Sequence, residues 1–447
     1  MRFYSTRDRD RSVDFREAIF TGLAPDGGLY HPDSEPRLRE VILRSPADRP
    51  FVEIAAELVH ELLPETFDAE AAAAVCRRAF PFAPKLVSLT DQILLLELFH
   101  GPSCAFKDFG ASFLAAAMEY LLDGENHRAV ILTATSGDTG SAVARAFHDR
   151  PGIDVVILYP SGRVSPLQEQ QLTTVGGNIH ALEVSGSFDD CQRMVKEAFT
   201  DRELAGRAHL TSANSINLGR LIPQAFYYID AFVRLRSRIA SEVVFCVPSG
   251  NFGNLTAGIL AWRWGLPVSG FIAATNINDV VPEYLASGIY RARPSMRTLA
   301  NAMDVGNPSN FERLLEIFGA DYQDMRAMVG GEAVTDEEKA RSLRYQIMGR
   351  HYRAHGVFLD PHTAAGVCAA ERYLEGEGAS DASVITLATA HPAKFGEVVE
   401  QATGARPELP ERLAEAMRRE KRASAMEPSI DALRPWLLDR FADGTDR

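Results

Sequence analysis

Residues 129–149 read AVILTATSGDTGSAVARAFHD, and this stretch decides the expected fold. The apolar run AVILTAT has the length and composition of a buried strand. A turn rich in Gly and small polar residues follows, and TGSAVARAFHD then carries apolar residues at helical spacing. A buried strand that leads through a glycine-containing turn into a helix is typical of a parallel α/β sheet.

The same order of strand and helix recurs on both sides of this stretch. Further strands are predicted at ILLLELF, DVVILYP, NIHALEV, EVVFCVP, VSGFIAATN and ASVITLATA, with helical patterns between most of them. These runs are apolar almost throughout, which indicates burial on both faces of a sheet. We therefore predict an α/β protein with two doubly wound parallel-sheet domains.

The first part of the chain has a different, mostly helical pattern, as in FVEIAAELVHELL and AEAAAAVCRRAF. A length of 447 residues suggests about two to four domains. We predict a mostly helical N-terminal domain over residues 1–90 and two α/β domains over residues 91–215 and 216–447.

Composition excludes several classes of function. The formal net charge of −13 argues against a nucleic-acid partner, which would require a basic surface. The five cysteines lack metal-site spacing, so we expect no metal and a reducing, cytoplasmic location. The charged start MRFYSTRDRDRSVDF is unlike a signal peptide, and no apolar run reaches the ~18 residues of a membrane span.

The sequence HGPSCAFKDFG places Lys107 in the first turn of a predicted helix, beside Phe106 and Phe109. The helix dipole and the apolar neighbours both favour an uncharged amine at this position. An uncharged lysine amine is a nucleophile toward carbonyl groups, which makes Lys107 a candidate for binding an aldehyde cofactor. The alternative is a surface lysine whose alkyl chain lies along apolar neighbours.

Two glycine-containing turns lie between a predicted strand and a predicted helix. The turn SGDT, residues 136–139, offers hydroxyl and backbone N–H groups to a carboxylate or phosphate. The turn SGNFGN, residues 249–254, has glycines that let the backbone approach a ligand, but matches neither a dinucleotide-binding motif nor a P-loop. For both turns, plain helix capping stays open as the alternative.

A third junction, TLATAHPAKFGE, ends a predicted strand at Thr389 and continues through His391 and Lys394. Taken alone, His391 and Lys394 also have structural explanations. A phosphate-bearing aldehyde would account for both Lys107 and the cationless turn at 249–254. Pyridoxal 5′-phosphate (PLP) has these two groups, together with a ring nitrogen and a 3′-oxygen that need partners.

Nine ordered motifs resemble threonine synthases of the bacterial and fungal type: ELFHGPSCAFKDFG, TSGDTGSAVARAF, YPSGRVSPLQEQQ, NSINLGRLIPQ, PSGNFGNLTAG, TNINDVVP, NAMDVGNPSNFERL, DPHTAAGV and ATAHPAKF. YSTRD and GLAPDGGLYHP resemble the extra N-terminal domain of that family. The resemblance implies a PLP-dependent lyase of fold type II, the tryptophan-synthase-like class. It also implies conversion of O-phospho-L-homoserine and water to L-threonine and phosphate by γ-elimination and β-hydration.

Carried onto this sequence, the resemblance implies that Lys107 holds PLP as a Schiff base and that Thr389 faces the pyridine nitrogen. Asp138 would lie near the 3′-oxygen, and because two anions would meet there, we expect them to share a proton. The phosphate of PLP would be held by Ser249, Gly250, Asn251, Phe252, Gly253 and Asn254.

Substrate contacts are also implied. The carboxylate of the substrate would lie against Ser136, Gly137 and Thr139. Candidates for its phosphate, each with an alternative explanation as a surface charge or a cap, are Arg163, Arg220, Lys394, Asn214 and Ser215. Two positions depart from the family pattern: Ser103 replaces the usual Thr, and Ser161 replaces a common Lys, which leaves more to Arg163.

Three alternatives remain at this point: another fold type II lyase such as a serine/threonine dehydratase, a non-catalytic homologue that binds PLP or a metabolite, and a nicotinamide-dependent oxidoreductase. The N-terminal domain and NAMDVGNPSN favour threonine synthase over the first, and the intact Lys107 and Thr389 count against the second. The sequence lacks the dinucleotide-binding glycine motif that a nicotinamide-dependent oxidoreductase would require. The assembly is expected to be a monomer or homodimer.

Overall fold

The computed structural model describes residues 1–124, 128–135, 137–238, 242–333, 337–376 and 381–442. The strands in these ranges are β1 Phe3–Ser5, β2 Asp8–Val13, β3 Tyr30–Pro32, β4 Lys85–Ser88, β5 Ile93–Glu97, β6 Ala129–Ala134, β7 Ile153–Pro160, β8 Ile179–Val184, β9 Leu210–Thr211, β10 Val243–Pro248, β11 Gly270–Thr275, β12 Val329–Ala333, β13 Ser383–Ala388 and β14 Ser424–Met426.

The α-helices in the same ranges are α1 Phe15–Thr21, α2 Arg39–Arg44, α3 Phe51–Leu62, α4 Ala69–Ala79, α5 Lys107–Leu122, α6 Asp138–Phe147, α7 Pro166–Thr173, α8 Phe188–Thr200, α9 Arg202–Arg207, α10 Leu218–Leu221, α11 Gln224–Leu235, α12 Gly253–Arg263, α13 Val280–Ser287, α14 Phe311–Ile317, α15 Tyr322–Met328, α16 Glu337–His355, α17 Pro361–Leu374, α18 Gly396–Thr403, α19 Glu411–Arg418 and α20 Ile430–Phe441. Short 3-10 turns lie at Asn301–Met303 and Pro392–Phe395. Across the described ranges, none of the helices combines the length and apolar character needed to cross a bilayer.

The N-terminal part contains α1 to α4 and a small antiparallel sheet in the order β2-β1-β3. Two of its helices begin at aspartate caps, since Asp14 accepts the Glu17 N–H and Asp68 accepts the Ala71 N–H. This part is mostly helical, as predicted. The sequence analysis missed its sheet, because β1 and β3 have only three residues each and β2, DRDRSV, is polar and mostly exposed.

A six-stranded sheet has the order β12-β11-β10-β13-β5-β4. Its strands are parallel except at the edge, where β4 pairs antiparallel with β5. The central strand β10, VVFCVP, is buried at every position. Burial on both faces explains why its sequence is an uninterrupted apolar run.

A five-stranded sheet has the order β14-β8-β7-β6-β9 and is parallel throughout. In β6, Ile131 packs into the core that contains α5 and α6. Its neighbours Val130 and Leu132 point to the opposite face and pack with α8 and α20. Helices therefore cover both faces, and the predicted α/β fold with doubly wound parallel sheets is confirmed.

The two parallel sheets each draw strands from distant parts of the chain. β5 precedes Lys107 but pairs with β13 in the six-stranded sheet, and β14 near the C-terminus pairs with β8 in the five-stranded sheet. The carboxyl ends of β6, β10 and β13 lead into the three junctions that the sequence analysis singled out. Ligands in such folds collect at these ends.

Candidate active site

Lys107 is the first residue of α5, and backbone pairing holds the loop before it against the segment that follows β13. The Phe106 N–H donates to the Thr389 carbonyl oxygen at 2.9 Å. Beside this bond, Ala105 and Ala390 form an antiparallel bridge. Lys107 and Thr389, which are far apart in the sequence, are thereby brought together at one site.

The surroundings of Lys107 favour an uncharged amine. Its side chain is partly buried, and its Nζ lies 5.2 Å from the centre of the Phe106 ring. Removal from water is the main cause that lowers the pKa of Lys107; the carboxylate of Asp138 opposes this shift. The cations of Arg220 and Lys394 lower the pKa further. A neutral, nucleophilic amine at this position is what attachment of an aldehyde requires.

The turn after β10 forms a backbone cradle. Phe252 has a left-handed φ of 60°, and α12 begins directly after it, at Gly253. The first N–H groups of a helix have no intrahelical partner and attract anions. A Cβ atom at Gly250 would lie 2.3 Å from the Ala302 carbonyl oxygen, so this position requires glycine.

Asn254 adds a side-chain donor to the cradle. Its Oδ1 accepts hydrogen bonds from the hydroxyls of Tyr227 at 2.5 Å and Tyr228 at 2.8 Å. These bonds fix the amide, and its Nδ2 is buried without a partner among the described residues. A buried donor without an acceptor is costly, and a phosphate oxygen would satisfy it. The cradle and this donor fit the phosphate of PLP.

Two other side chains of the turn bond within the protein. The Ser249 hydroxyl donates to the Val247 carbonyl oxygen at 2.9 Å. The Asn251 Oδ1 accepts the Ser309 N–H at 3.1 Å. Both side chains therefore hold the shape of the turn. The backbone N–H groups of the same two residues are available to an anion.

Gly250→Ala is expected to weaken PLP binding, because the atom that the new Cβ meets belongs to the backbone of Ala302 and cannot rotate away. Overpacking of this kind costs about 1–3 kcal/mol. Because this cost distorts the turn that would hold the phosphate, the affinity for PLP is expected to fall roughly ten- to hundredfold. Equilibrium dialysis measures this affinity. Gly330→Ala is the control, since its Cβ would have a nearest neighbour at 3.9 Å. Equal affinities of the two variants would contradict the cradle.

Asp138 begins α6 and forms a buried ion pair. Its Oδ1 lies 2.7 Å from the Lys394 Nζ and accepts a hydrogen bond from the Gln168 Nε2 at 2.9 Å. Burial alone would raise the pKa of Asp138, but the charge and hydrogen bond of Lys394, with the hydrogen bond from Gln168, outweigh this and hold the pKa well below its usual range. Lys394 supplies the countercharge of the Asp138 carboxylate, and the proton that Asp138 is expected to share with the 3′-oxygen of PLP stays a prediction.

Lys394 lies in the 3-10 turn after β13, and its side chain is fully buried. Besides Asp138, its Nζ contacts the Ser103 carbonyl oxygen, to which it donates at 2.9 Å. The neighbouring His391 caps this turn, since its Nδ1 accepts the Ala393 N–H at 3.2 Å. His391 thus has the structural role that the sequence analysis weighed as its alternative.

The predicted carboxylate site lies at the start of α6. Gly137 is buried with a φ of 148°, and a Cβ there would lie 2.6 Å from the Gln168 side chain. Thr139 is partly buried in the first turn of α6. Ser136, predicted to bind the same carboxylate, lies outside the described residues.

The candidates for the substrate phosphate differ in their surroundings. Ser215 lies beside the cradle, because its Cβ is 3.6 Å from where a Cβ at Gly253 would be. Asn214 accepts a hydrogen bond from the Thr133 hydroxyl at the end of β6. Arg163 is exposed in the loop between β7 and α7.

Arg220 is a buried cation at the site. Its Nη1 donates to the Ala213 carbonyl oxygen at 2.6 Å, and its Nε has no partner among the described residues. Burial lowers the pKa of Arg220 to about 10, and the Asp108 carboxylate partly offsets this shift. A buried guanidinium with an unused donor is suited to an anion such as phosphate.

Two buried polar side chains near the site were not predicted from the sequence. Gln168 and Gln171 lie on α7, where Gln171 Nε2 donates to the Ser103 carbonyl oxygen at 3.0 Å. Both are buried, although SPLQEQQ looks like the polar face of a surface helix. Their three-residue spacing, which places two amide side chains on one face of a helix, is the sequence feature that could have indicated a shared polar contact.

The fold and the site define a PLP-dependent enzyme of fold type II. The family model described as pyridoxal-phosphate dependent enzyme matches residues 82–390. The models for the threonine synthase N terminus and the threonine synthase C-terminal region match residues 2–80 and 363–436.

Individual relatives agree over nearly the whole chain. A threonine synthase from Serratia marcescens is 40% identical over 439 residues, which cover 98% of this chain and 99% of that protein. The crystal structure of threonine synthase from Escherichia coli has a TM-score of 0.89 and 38% identity, covering 98% of this chain and 100% of that one. PLP-bound threonine synthase from Brucella melitensis has a TM-score of 0.88 and 35% identity, covering 99% of each chain. The chain belongs to the threonine synthase family.

Family membership confirms the predicted resemblance, the PLP-dependent lyase class and the cofactor. The dehydratase and the non-catalytic binding homologue, kept as alternatives, are not favoured, since threonine synthase models match both ends of the chain.

Proposed function

We propose that this protein converts O-phospho-L-homoserine and water to L-threonine and phosphate. The observation that carries the proposal is the Lys107 amine, which is partly buried, lowered in pKa and tied to Thr389 through Phe106. The names of the relatives support the product, and the cradle at residues 249–254 supports the cofactor.

When bound, PLP supplies an aldehyde that joins an amine and a ring that withdraws electrons from the carbons of the substrate. Lys107 would hold the aldehyde, residues 249–254 the phosphate and Thr389 the ring nitrogen. Thr389 is buried, with 7% of its surface exposed, and it directly follows the strand β13, beside the loop that precedes Lys107. A carboxylate beside the ring nitrogen would keep that nitrogen protonated. The neutral hydroxyl of Thr389 does not.

Lys107 is also the proposed base. Once the amine of the substrate has taken its place, its Nζ is free to accept the proton from Cα and to return one at the end of the reaction. The lowered pKa favours the neutral form of this nitrogen, which is the form that accepts a proton. Between these steps a proton leaves Cβ, phosphate leaves Cγ, Cγ gains a proton and water adds at Cβ.

Other residues would orient the substrate. The turn at Gly137 and Thr139, at the N-terminus of α6, is proposed to bind the carboxylate, with Ser136 in the same turn. For the phosphate, the buried Arg220 has the strongest support because its Nε is unpaired among the described residues. Asn214, Ser215 and Arg163 remain proposed contacts, whereas the Lys394 ammonium is already engaged by Asp138.

The reaction itself separates the proposal from the dehydratase. The purified, PLP-loaded protein is expected to release inorganic phosphate from O-phospho-L-homoserine and to form L-threonine in equal amount. It is expected to release little ammonia from L-threonine. Colorimetric phosphate and ammonia assays measure both, and ammonia from threonine without phosphate from O-phospho-L-homoserine would overturn the proposed function.

The cellular location, the domain boundaries and the assembly of the protein are also proposals. A cytoplasmic location is supported by five cysteines that are all buried and free of disulfides. We retain the division into residues 1–90, 91–215 and 216–447, with the Schiff-base lysine in the second part and the phosphate cradle in the third. A monomer or homodimer is the proposed assembly, and a small molecule the proposed partner.

A further inference from the structure

A buried polar network lies beside Lys107, and we call it the Lys394 network. Its members are Lys394, Asp138, Gln168, Gln171 and the carbonyl group of Ser103. Three parts of the chain meet in it: the turn after β13, the start of α6 and the helix α7. They also contact the loop that leads into α5.

In this network, the Lys394 ammonium contacts two acceptor groups, and each of these acceptors is also bound by a glutamine side chain. The Lys394 Nζ contacts both Asp138 Oδ1 at 2.7 Å and the Ser103 carbonyl oxygen at 2.9 Å. Two glutamines of α7 donate to the same two residues. Gln168 Nε2 donates to Asp138 at 2.9 Å, and Gln171 Nε2 donates to the Ser103 carbonyl oxygen at 3.0 Å. The ammonium is therefore already engaged by protein acceptors.

The network also connects the two parallel sheets. Asp138 follows β6 of the five-stranded sheet, whereas Lys394 follows β13 of the six-stranded sheet. Their side chains are 6% and 0% exposed. A buried pair of this kind is held in one geometry, and removal of either partner leaves an uncompensated buried charge.

We propose that Lys394 is a positioning residue that neutralises Asp138 and joins the substrate-side turn at 137–139 to the Lys107 loop, and that it is not a ligand of the substrate phosphate. The proposal rests on the proposed function for the identity of the substrate. The pair carries no net charge, and it links the two parallel sheets through buried ionic groups.

The charged groups around Lys107 are Asp138 on α6, Lys394 after β13, Arg220 on α10 and Asp108 on α5. Asp138 raises the pKa of Lys107, and Lys394 lowers it. Loss of one member of the pair therefore uncovers the charge of the other. Loss of both members leaves Arg220 and Asp108 unchanged and restores a neutral neighbour.

The test is a double-mutant cycle read by the visible absorbance of the PLP-loaded protein against pH. Lys394→Met is expected to raise the pH midpoint of the absorbance change by about one unit or more, and Asp138→Asn to lower it by a similar amount. The double variant is expected to return toward the wild-type midpoint. Lys421→Met, which removes an exposed lysine paired with Glu169 and Glu183, is the control and should shift nothing.

Thermal unfolding of the cofactor-free variants gives a second readout. Each single substitution is expected to lower Tm more than the double one does, because a lone buried charge remains. A double variant whose titration midpoint stays as far from the wild-type value as that of a single variant, together with a Tm loss equal to the sum of the two single losses, would overturn the proposal. Neither measurement needs substrate, so both remain informative if the proposed reaction is wrong.

Kinetics separates positioning from phosphate binding. If Lys394 positions Asp138, Lys394→Met lowers kcat, the added Asp138→Asn recovers part of it, and competitive inhibition by inorganic phosphate is unchanged. A phosphate ligand would behave differently: Lys394→Met would weaken inhibition by phosphate at least about tenfold, and Asp138→Asn would not restore it. That result would overturn the proposal.

Discussion

Lys107→Ala is expected to abolish both turnover and the visible absorbance of lysine-bound PLP. The general base alone contributes about 10²–10⁴-fold to the rate of such reactions. Lys107 is also the proposed attachment point of the cofactor, so the loss in kcat should reach or exceed the upper end of that range. Phosphate release from O-phospho-L-homoserine and an absorbance spectrum of the dialysed protein measure the two effects.

The matched control is Lys85→Ala, which removes an exposed lysine on β4. It should keep the spectrum and the rate of the wild type. Because α5 is held by the apolar core around Phe109 and Phe113, the Lys107 variant is expected to unfold at nearly the wild-type temperature. A folded Lys107→Ala variant that retains colour and activity would remove Lys107 from the mechanism.

Asn254→Asp is expected to reduce PLP affinity strongly. The new side chain has nearly the same shape and can still accept hydrogen bonds from Tyr227 and Tyr228, as Oδ1 of Asn254 does. It replaces the unpaired Nδ2 donor with an anionic oxygen. Loss of a hydrogen bond to a charged group costs about 1.5–3 kcal/mol, which is roughly ten- to hundredfold in affinity, and charge repulsion adds to this.

Pyridoxal, which lacks the phosphate, provides the control ligand for this variant. Its binding to Asn254→Asp should match its binding to the wild type, since the substitution acts on the phosphate alone. Fluorescence or absorbance titration with each ligand measures both affinities. Equal weakening for pyridoxal and PLP would place Asn254 elsewhere than at the phosphate.

The sequence predicted the parts of the fold that depend on local composition. Strands such as β6 and β10 are apolar at every position because they are buried on both faces, and this pattern is visible without any structure. The small strands β1, β2 and β14 lack such a pattern. They are short or polar and are defined by their pairing partners, as β14 is by β8.

The same distinction applies to the site. The sequence singled out Lys107 and the turn at 249–254 because both are chemically unusual at their positions: a lysine at a helix N-terminus, and glycines directly before a helix. The partnership of Asp138 with Lys394 was not found, because it joins residues from two different sheets. The sequence marks neither residue as buried, so it gave no sign that Lys394 would lie against the Asp138 carboxylate.

The most direct test of the account maps the lysine that carries the cofactor. The chain has six lysines, Lys85, Lys107, Lys196, Lys339, Lys394 and Lys421. Borohydride treatment of the PLP-loaded protein turns the link between lysine and cofactor into a stable bond, and mass spectrometry of the digest locates it. The account predicts the modification on Lys107 alone. Modification of Lys394 or another lysine, or of none, would contradict it.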